Sequence, residues 1–275
     1  MPAAVVTGAG RGLGRAVAHA LAERGLAVHV TDVDAAAAEQ VAAEIGGRAT
    51  SSVLDVRDEA ACRALAGSAV ERDGSLDVWV NNAGVLLTGL AWEQSDEMRR
   101  LMVEINTFGT MNGTVAALEP MMAAGSGHVI NVISLAGLVA APGEVNYAAS
   151  KHAAIAFTLG TQMDLRRSGI KGIHLSAVCP DGIFTPMLAD KLDDPDAAGS
   201  FSGTLLTAEQ VAPKIAALLD RPRPVLTIPR WRGALLRFFD AFPSLALRLV
   251  PWLLRDARRR QARYKRKIES GRWPK

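Results

Sequence analysis

Near its start the chain reads Ala3-Ala4-Val5-Val6-Thr7-Gly8-Ala9-Gly10-Arg11-Gly12-Leu13-Gly14, a short apolar run that ends in a cluster of glycines. The run predicts a buried strand, and helical periodicity then continues to a stop at Gly25. A second strand, residues 27–30, leads into Asp32. Glycines allow a close approach of the backbone to a pyrophosphate, and the N-terminus of the next helix presents free N–H groups. This order of elements predicts a dinucleotide site.

Asp32 bears on which dinucleotide binds. It lies 18 residues after Gly14, where a carboxylate can accept hydrogen bonds from both ribose hydroxyls of an adenosine. A 2′-phosphate about 4 Å away would cost on the order of 4 kcal/mol per charge pair at an effective dielectric near 20. Arg11 is a countervailing signal, but one exposed arginine should not offset a well-placed carboxylate. We therefore expect NAD as the cofactor, with NADP left open. The competing interpretation is that Asp32 is only a solvated residue in a turn.

Strands and helices alternate through the first half of the chain. Helices predicted to begin at Asp34 and Asp58 separate strands at residues 49–54 and 76–80. This alternation predicts an α/β fold, a Rossmann-type doubly wound parallel sheet of about seven strands flanked by helices. Ligands of such sheets bind beyond the carboxyl ends of the strands, which is where the glycine turn and the Asn81-Asn82-Ala83-Gly84 turn fall.

The second half of the chain carries Tyr147-Ala148-Ala149-Ser150-Lys151 at the start of a helix predicted to reach Leu165. Positions i and i+4 share a helix face, so the phenol and the ammonium point into the same space. A neighbouring positive charge can make a phenol, whose reference pKa is about 10, acidic enough for proton transfer near neutral pH. The spacing alone is weak evidence, because it arises by chance in many helices.

Two polar residues accompany this pair. Ser134 ends a predicted buried strand, and a loop with glycines and a proline can bring its hydroxyl back beside the phenol. Asn106 lies inside the first of two helices predicted for residues 95–124. Taken alone, Ser134 fits a hydroxyl in a turn at the end of a strand, and Asn106 fits a core residue bonded to backbone better than one that holds a bulge and a water.

Together these residues resemble the short-chain dehydrogenase/reductase family, in its single-domain branch. The matching positions lie between residues 3 and 230, so we expect a catalytic NAD(P)-binding Rossmann domain at 1–230 and an extension at 231–275. They are Thr7, Gly8, Gly12, Gly14, Asp55, Val56, Asn82, Ala83, Gly84, Asn106, Ser134, Tyr147, Lys151 and Pro180 through Thr185.

The resemblance implies an NAD(P)-dependent oxidoreductase that interconverts a secondary alcohol and a ketone. It implies that Tyr147 is the general acid/base and that Lys151 lowers the pKa of Tyr147 and holds the nicotinamide ribose. Ser134 would bond the substrate oxygen, and Asn106 would keep a water that relays protons. The resemblance thus favours functional roles over a turn hydroxyl at Ser134 and a core amide at Asn106. The implied cofactor-binding residues are Gly8, Arg11, Gly12, Leu13, Gly14, Asp32, Asp55, Val56, Asn82, Ala83, Gly84, Tyr147, Lys151, Pro180, Ile183 and Thr185.

One position departs from the family. Its members usually have glycine directly after the proline that corresponds to Pro180, whereas this chain has Asp181, with Gly182 one place later. An acidic side chain near the nicotinamide end could shift the local backbone or reach the substrate. The contacts to the nicotinamide carboxamide and the shape of the substrate pocket therefore stay open at this point.

Composition limits the class of protein. With 275 residues, 49% hydrophobic and 21% charged, the chain is globular and can bury a sizeable core. Cys62 and Cys179 are too few for a disulfide framework and have no metal-ligand spacing, so we expect a reducing, cytoplasmic setting and no metal site. The sequence contains neither a recognisable signal peptide nor a stretch that predicts a membrane span.

The extension is strongly basic. Residues 230–275 carry 14 Lys and Arg against 3 Asp and Glu, a net charge of +11, while the remaining 17 basic and 25 acidic residues give −8. Two interpretations of the extension stay open. It is a helical segment that packs over the substrate pocket or a neighbouring subunit, or it attaches peripherally to membranes through apolar segments and arginines. A nucleic-acid role is disfavoured, because no reader motif is present.

The substrate pocket is expected to be mostly apolar, which favours a hydrophobic alcohol or ketone. Residues 184–206, rich in Asp, Gly and Ser, are expected to form an irregular, mobile lid. Homodimers or homotetramers built on the helices around Asn106 and Tyr147 are a further expectation.

Two other functions stay open: a dinucleotide-binding sensor or scaffold without turnover, and a sugar-nucleotide epimerase. The pocket residues predicted are Leu135, Ala136, Val139, Glu144, Met187 and Leu188.

Overall fold

The computed structural model describes residues 2–273. The strands are β1 Ala3–Thr7, β2 Ala27–Asp32, β3 Thr50–Val53, β4 Val78–Asn81, β5 Gly127–Val132, β6 Ile173–Pro180, β7 Ile183–Phe184, β8 Leu206–Thr207 and β9 Val225–Ile228. The α-helices are α1 Gly12–Glu23, α2 Ala35–Ile45, α3 Glu59–Asp73, α4 Asp96–Val103, α5 Gly109–Ala124, α6 Val145–Arg167, α7 Pro186–Ala189, α8 Ala208–Ala216, α9 Arg230–Ala241 and α10 Pro243–Glu269.

Seven of the strands form one parallel sheet in the order β3-β2-β1-β4-β5-β6-β9. The chain leaves β1 towards β2 on one side and later returns to β4 on the other side. The order of strands therefore reverses between β1 and β4, and a crevice opens there at the carboxyl ends of the strands. The predicted doubly wound Rossmann-type sheet is confirmed.

Both faces of the sheet are covered, which explains the apolar runs in the sequence. Every residue of β1 is buried. Val6 packs in a cluster with α1, α2 and α8, whereas Val5 belongs to a cluster on the opposite face with α3, α5 and α6. Successive side chains of a strand point to opposite faces, so a strand buried on both faces has no polar alternation.

The two consecutive helices predicted for residues 95–124 are present as α4 and α5, and their junction is the feature that the sequence did not show. Helices α4 and α5 are joined without a break by a π-helical turn, Glu104–Phe108, and Asn106 lies inside it. A π-turn inserts an extra residue into a helix and is frequent at functional sites. Here it turns the Asn106 side chain inward, where the amide bonds the chain that follows β4.

Residues 184–206 contain short elements that the composition did not predict. Strands β7 and β8 pair, α7 follows β7, and a 3₁₀ helix covers Pro195–Phe201. The Phe201 side chain is fully buried with Leu188 and Leu205. Segments this short show no readable periodicity, and their apolar residues find partners only in the tertiary fold.

The extension forms the last two helices, α9 and α10. Helix α10 packs along the 3₁₀ helix at 195–201, so residues distant in sequence close over the same end of the sheet. Within residues 2–273 no helix is long and apolar enough to cross a membrane. The predicted residues Pro274 and Lys275 of the extension lie outside the described part of the chain.

Candidate active site

A cavity of about 680 Å³ lies at the carboxyl ends of the strands. It extends from the glycine turn after β1, past the ends of β2, β3 and β4, to the start of α6. Gly14 and Asn106 are the predicted site residues that do not line it. The others do: Gly8, Arg11, Gly12, Leu13, Asp32, Asp55, Val56, Asn82, Ala83, Gly84, Ser134, Tyr147, Lys151, Pro180, Ile183 and Thr185.

The glycine turn is held tightly against the end of β4. The side-chain amide of Asn82 donates to the carbonyl oxygens of Thr7 at 3.0 Å and Gly8 at 2.9 Å. Gly12 has φ +57°, a left-handed conformation that favours glycine. A Cβ atom on Gly14 would overlap the Gly8 carbonyl oxygen. Gly14 therefore contributes close packing of helix α1 on the turn and not a wall of the cavity.

Asp32 is fixed at the end of β2. Its Oδ2 accepts a hydrogen bond from the Gly10 backbone N–H at 2.9 Å, and Oδ1 accepts one from the Asp34 N–H at 3.1 Å. Both oxygens are thus oriented by backbone while the carboxylate lines the cavity. The glycine turn, the N-terminus of α1 and this oriented carboxylate fit a nicotinamide dinucleotide.

Ser134, Tyr147 and Lys151 meet at the other end of the cavity. The Tyr147 phenol shares a hydrogen bond with the Ser134 side chain. Lys151 Nζ lies 5.7 Å from the centroid of the Tyr147 ring and donates to the Val132 carbonyl oxygen at 3.3 Å. The loop after β5 therefore returns the Ser134 hydroxyl to the phenol, and α6 presents both of its own residues on one face.

The pKa values of Tyr147 and Lys151 differ from the expectation that Lys151 lowers the pKa of Tyr147. Burial raises the pKa of Tyr147 well above its usual range, and the hydrogen bond to Ser134 offsets only part of that rise. Burial also lowers the pKa of Lys151 to about 8. The expected lowering of the Tyr147 pKa by Lys151 is not seen, because both groups are removed from water and desolvation penalises each charged form.

Asn106 lies behind the cavity wall. Its Oδ1 accepts from the Val85 N–H, and its Nδ2 donates to the Val85 carbonyl and the Ser150 hydroxyl, all at 2.9–3.0 Å. The amide therefore joins the segment after β4 to helix α6, one residue before Lys151. The bulge and the backbone-bonded amide are both present, and the relay of protons through a water stays a prediction.

Asp181, the departure from the family pattern, binds the extension. Its Oδ2 lies 3.2 Å from Arg232 Nε, and Oδ1 accepts from the Gly182 N–H at 3.1 Å. Arg232 also donates to the Ser202 hydroxyl at 2.6 Å. Burial raises the pKa of Asp181, and the Arg232 charge opposes that rise. The carboxylate is thus directed to the first turn of α9, a partner that the sequence expectations did not include.

The extension supplies a wall of the cavity. Helix α10 is anchored by Gln261, whose Nε2 donates to the carbonyl oxygens of Lys191 and Asp194 at 2.8 and 2.7 Å. The Tyr264 hydroxyl accepts from the Leu205 N–H at 3.1 Å. The helical spacing of the residues on one face of α10 is the signal that could have found this wall. The lining residues of the extension are Arg232, Leu236, Phe239, Ala246, Val250, Leu253, Leu254 and Ala257.

The part of the cavity around Glu144 is lined mainly by apolar side chains. Glu144 is buried, and its Oε1 accepts from the Ser200 N–H at 3.1 Å and from the Ser200 hydroxyl at 2.7 Å. Burial raises the pKa of Glu144 to about 7. All six predicted pocket residues line the cavity: Leu135, Ala136, Val139, Glu144, Met187 and Leu188.

Comparison with known proteins places these features in a family. The family model described as short chain dehydrogenase matches residues 2–196. Oxidoreductase UcpA of Escherichia coli (strain K12) is 36% identical over 188 residues, which cover 67% of this chain and 70% of the relative. Cyclopentanol dehydrogenase of Comamonas testosteroni is 35% identical over 212 residues, covering 76% of this chain and 84% of that enzyme.

Solved structures agree on the fold. A short chain dehydrogenase/reductase from Burkholderia phymatum, in complex with NAD, superposes with a TM-score of 0.80 and 28% identity over 89% of this chain and 95% of that one. Levodione reductase superposes with a TM-score of 0.76 and 28% identity over 85% of this chain and 98% of the other.

Proposed function

Because the chain belongs to the short-chain dehydrogenase family, we propose that this oxidoreductase is an NAD-dependent dehydrogenase that interconverts a secondary alcohol and a ketone on an apolar substrate. One observation carries the proposal. Ser134, Tyr147 and Lys151 meet at one end of a cavity whose other end is the glycine turn and Asp32. A proton-transferring group and a dinucleotide site in one cavity are what hydride transfer requires.

We propose the residue roles that the family resemblance implies. A bound nicotinamide would accept or supply the hydride. Ser134 would hold the substrate oxygen, Tyr147 would take or give its proton, and Lys151 would bind the nicotinamide ribose. Burial and, after it, the charge of Glu144 raise the Tyr147 pKa, so the phenol works near neutral pH only when positive charge at the nicotinamide end offsets that rise. We therefore expect proton transfer to depend on the cofactor being bound.

The choice of NAD rests on Asp32, whose two oxygens are oriented by backbone N–H groups beside the glycine turn. A 2′-phosphate would meet this fixed negative charge. The Burkholderia phymatum structure, described as a complex with NAD, supports the same choice. Asp55 and Val56 would face the adenine, Asn82 to Gly84 the adenosine side, and Ile183 and Thr185 the nicotinamide carboxamide.

The apolar lining supports a hydrophobic substrate, and the name of the Comamonas relative supports a cyclic or aliphatic secondary alcohol. The test is a screen for NAD⁺ reduction over secondary alcohols of graded size. Turnover that is lost in Tyr147→Phe supports the enzyme. A sensor or scaffold would bind NADH and turn over nothing, and a sugar-nucleotide epimerase would act on nucleotide sugars only.

We propose that the catalytic domain spans residues 1–230 and that 231–275 completes its pocket, since α9 and α10 line the cavity. A homodimer or homotetramer is supported by Phe108, Val115 and Met122, which are exposed at seven-residue spacing along α5 and the turn before it. Cys62 and Cys179 are buried and unpaired, which supports a reducing, cytoplasmic setting.

We also propose that the extension contacts membranes peripherally. Trp231, Leu235, Phe238 and Phe242 are exposed at helical spacing along α9 and its end, and Trp252 is exposed on α10. Residues 230–275 carry a net charge of +11, which complements anionic lipid headgroups. Exposed aromatic residues beside arginines are typical of helices that lie in the membrane interface.

A further inference from the structure

Glu144 places a carboxyl group beside several apolar residues of the cavity. Its side chain is 2% exposed, yet it lines the cavity beside Leu135, Val139 and Leu188. Burying a carboxyl group is unfavourable unless its oxygens find partners. The roles proposed above for hydride and proton transfer do not use this group, so its position needs another explanation.

Within residues 2–273, only one of its two oxygens has a protein partner. Oε1 accepts both hydrogen bonds from Ser200, one from the N–H and one from the hydroxyl. Among residues 2–273 no hydrogen bond reaches Oε2, and no fully buried side-chain oxygen there lacks a partner. Oε2 therefore retains contact with open space, and for a residue that lines the cavity this space is the cavity itself.

The position of Glu144 limits which part of a ligand it can meet. It stands three residues before Tyr147, directly before the first residue of α6, and both side chains line the same cavity. The charge of Glu144 also raises the pKa of Tyr147, so the carboxyl group and the phenol lie near each other in that cavity. A ligand group that bonds Oε2 is therefore close to the carbon whose oxygen Tyr147 would protonate or deprotonate.

We propose that Glu144 and Ser200 form a polar subsite for a second oxygen of the substrate, on a carbon next to or near the reacting one. The substrate class is then a secondary alcohol or ketone with a neighbouring hydroxyl or carbonyl group on an apolar body. The ionised carboxyl accepts from a hydroxyl, and the protonated form donates to a carbonyl. This inference rests on the proposed function, because Tyr147 is taken to act on the first oxygen.

The competing explanation is structural: Glu144 would only fasten residues 195–201 to α6. Two variants separate these explanations. Glu144→Leu removes the subsite and the fastening, whereas Ser200→Ala removes one hydrogen bond of the fastening and leaves Oε2 in place. A fastening role predicts that both variants lower stability and that neither changes the preference between two substrates of the same carbon skeleton.

The experiment compares trans-cyclohexane-1,2-diol with cyclohexanol. Binding of each to the NADH-bound protein is measured by titration, where no turnover occurs because both molecules are reduced, and kcat/KM is then measured with NAD⁺. We expect the wild type to prefer the diol by about 10- to 100-fold, since an unpaired buried oxygen is penalised when cyclohexanol binds. Glu144→Leu should abolish the preference, and Ser200→Ala should keep most of it.

Equal binding of the two alcohols to the wild type would overturn the subsite, and this measurement needs no variant that must fold. A preference that survives in folded Glu144→Leu would also overturn it. Oxidation of both alcohols without preference leaves the proposed function intact and removes the subsite. A Glu144-dependent preference in binding without oxidation of either alcohol keeps the subsite and removes the proposed function.

Discussion

A Cβ atom on Gly203 would overlap the carboxylate of Asp181. The glycine leaves the space in which that carboxylate reaches Arg232 in the first turn of α9. Arg232 in turn bonds Ser202, the neighbour of Gly203. Asp181, Gly203 and Arg232 therefore depend on one another. Together they hold α9 against the end of β6.

We expect Gly203→Ala to destabilise the protein by about 1–3 kcal/mol, because the added methyl group displaces a buried carboxylate from its only cationic partner in the described structure. Urea unfolding measures the change. Gly160→Ala, inside α6, is the matched control: among residues 2–273, no atom outside the backbone of its own helix turn lies within 4 Å of the added Cβ atom. We expect the control to gain up to about 1 kcal/mol. Equal effects would refute this mutual dependence.

Arg232→Ala tests the same contact from the other side. It leaves the buried Asp181 without its counter-charge, which we expect to lower the free energy of unfolding by about 3 kcal/mol. Arg230→Ala, two residues away at an exposed position, is the control and should change stability by less than about 0.5 kcal/mol. If both variants lose the same unfolding free energy, the Arg232–Asp181 ion pair makes no specific contribution to stability.

Tyr147→Phe removes the phenolic oxygen and keeps the ring. We expect kcat/KM to fall by about 10²- to 10⁴-fold, because the substrate oxygen loses its proton donor and acceptor. NADH binding, followed by fluorescence titration, should stay near the wild-type value. If the variant keeps full activity, Tyr147 is not the acid/base. If it loses NADH binding as well, the loss of activity does not report on proton transfer, and Ser134→Ala then decides whether this end of the cavity is catalytic.

Asp32→Ser should shift cofactor preference toward NADP. The substitution removes the negative charge that a 2′-phosphate would meet, and we expect the ratio of kcat/KM for NADP⁺ over NAD⁺ to rise about 100-fold or more. Arg11→Ala gives the comparison, since it should lower whatever use of NADP⁺ the wild type has. A wild type that already uses NADP⁺ better than NAD⁺ would show that Asp32 does not set the preference.

The sheet could be predicted because its central strands, such as β1 and β4, are buried and apolar without alternation. The helices between the strands also have clear starts, as with Asp34, whose side chain accepts from the Ala37 N–H. The grouping of Ser134 with Tyr147 was also foreseeable, from the short loop between them. That α10 forms a wall of the cavity was one of two open interpretations, because an apolar helical face beside many arginines fits a membrane surface as well as a pocket. The pKa of Tyr147 could not be predicted, since burial depends on the whole cavity and spacing shows only the nearby charge.

Membrane contact through the extension predicts binding to anionic vesicles and none to neutral ones. Phe238→Asp and Trp252→Asp place a charge at side chains that are 49% and 69% exposed, and each should weaken binding about 10-fold or more. Trp92→Asp, at a tryptophan that is 79% exposed outside the extension, is the control and should bind as the wild type does. Point substitutions are needed because truncation would also remove the pocket wall. No co-sedimentation of the wild type would exclude the contact.

Glu144 should make stability depend on pH in a defined direction. The ordinary pKa of its carboxyl group is 4.5, and burial raises the pKa in the folded protein to about 7. Between these values the folded protein holds a proton that the unfolded chain has released, so this group's contribution to stability is greatest below 4.5. It falls as the pH rises through the window and levels off above 7.

Glu144→Gln cannot release a proton and keeps an acceptor for Ser200. Relative to this variant, the wild type should therefore lose about 3 kcal/mol of unfolding free energy between pH 4.5 and pH 8. Urea unfolding of both proteins at several pH values measures the difference, and Glu39→Gln, at an exposed position of α2, controls for the substitution itself. The difference in unfolding free energy between the wild type and Glu144→Gln could instead stay constant between pH 4.5 and pH 8. The Glu144 carboxyl would then have the same pKa in the folded and unfolded chain, and burial would not raise it.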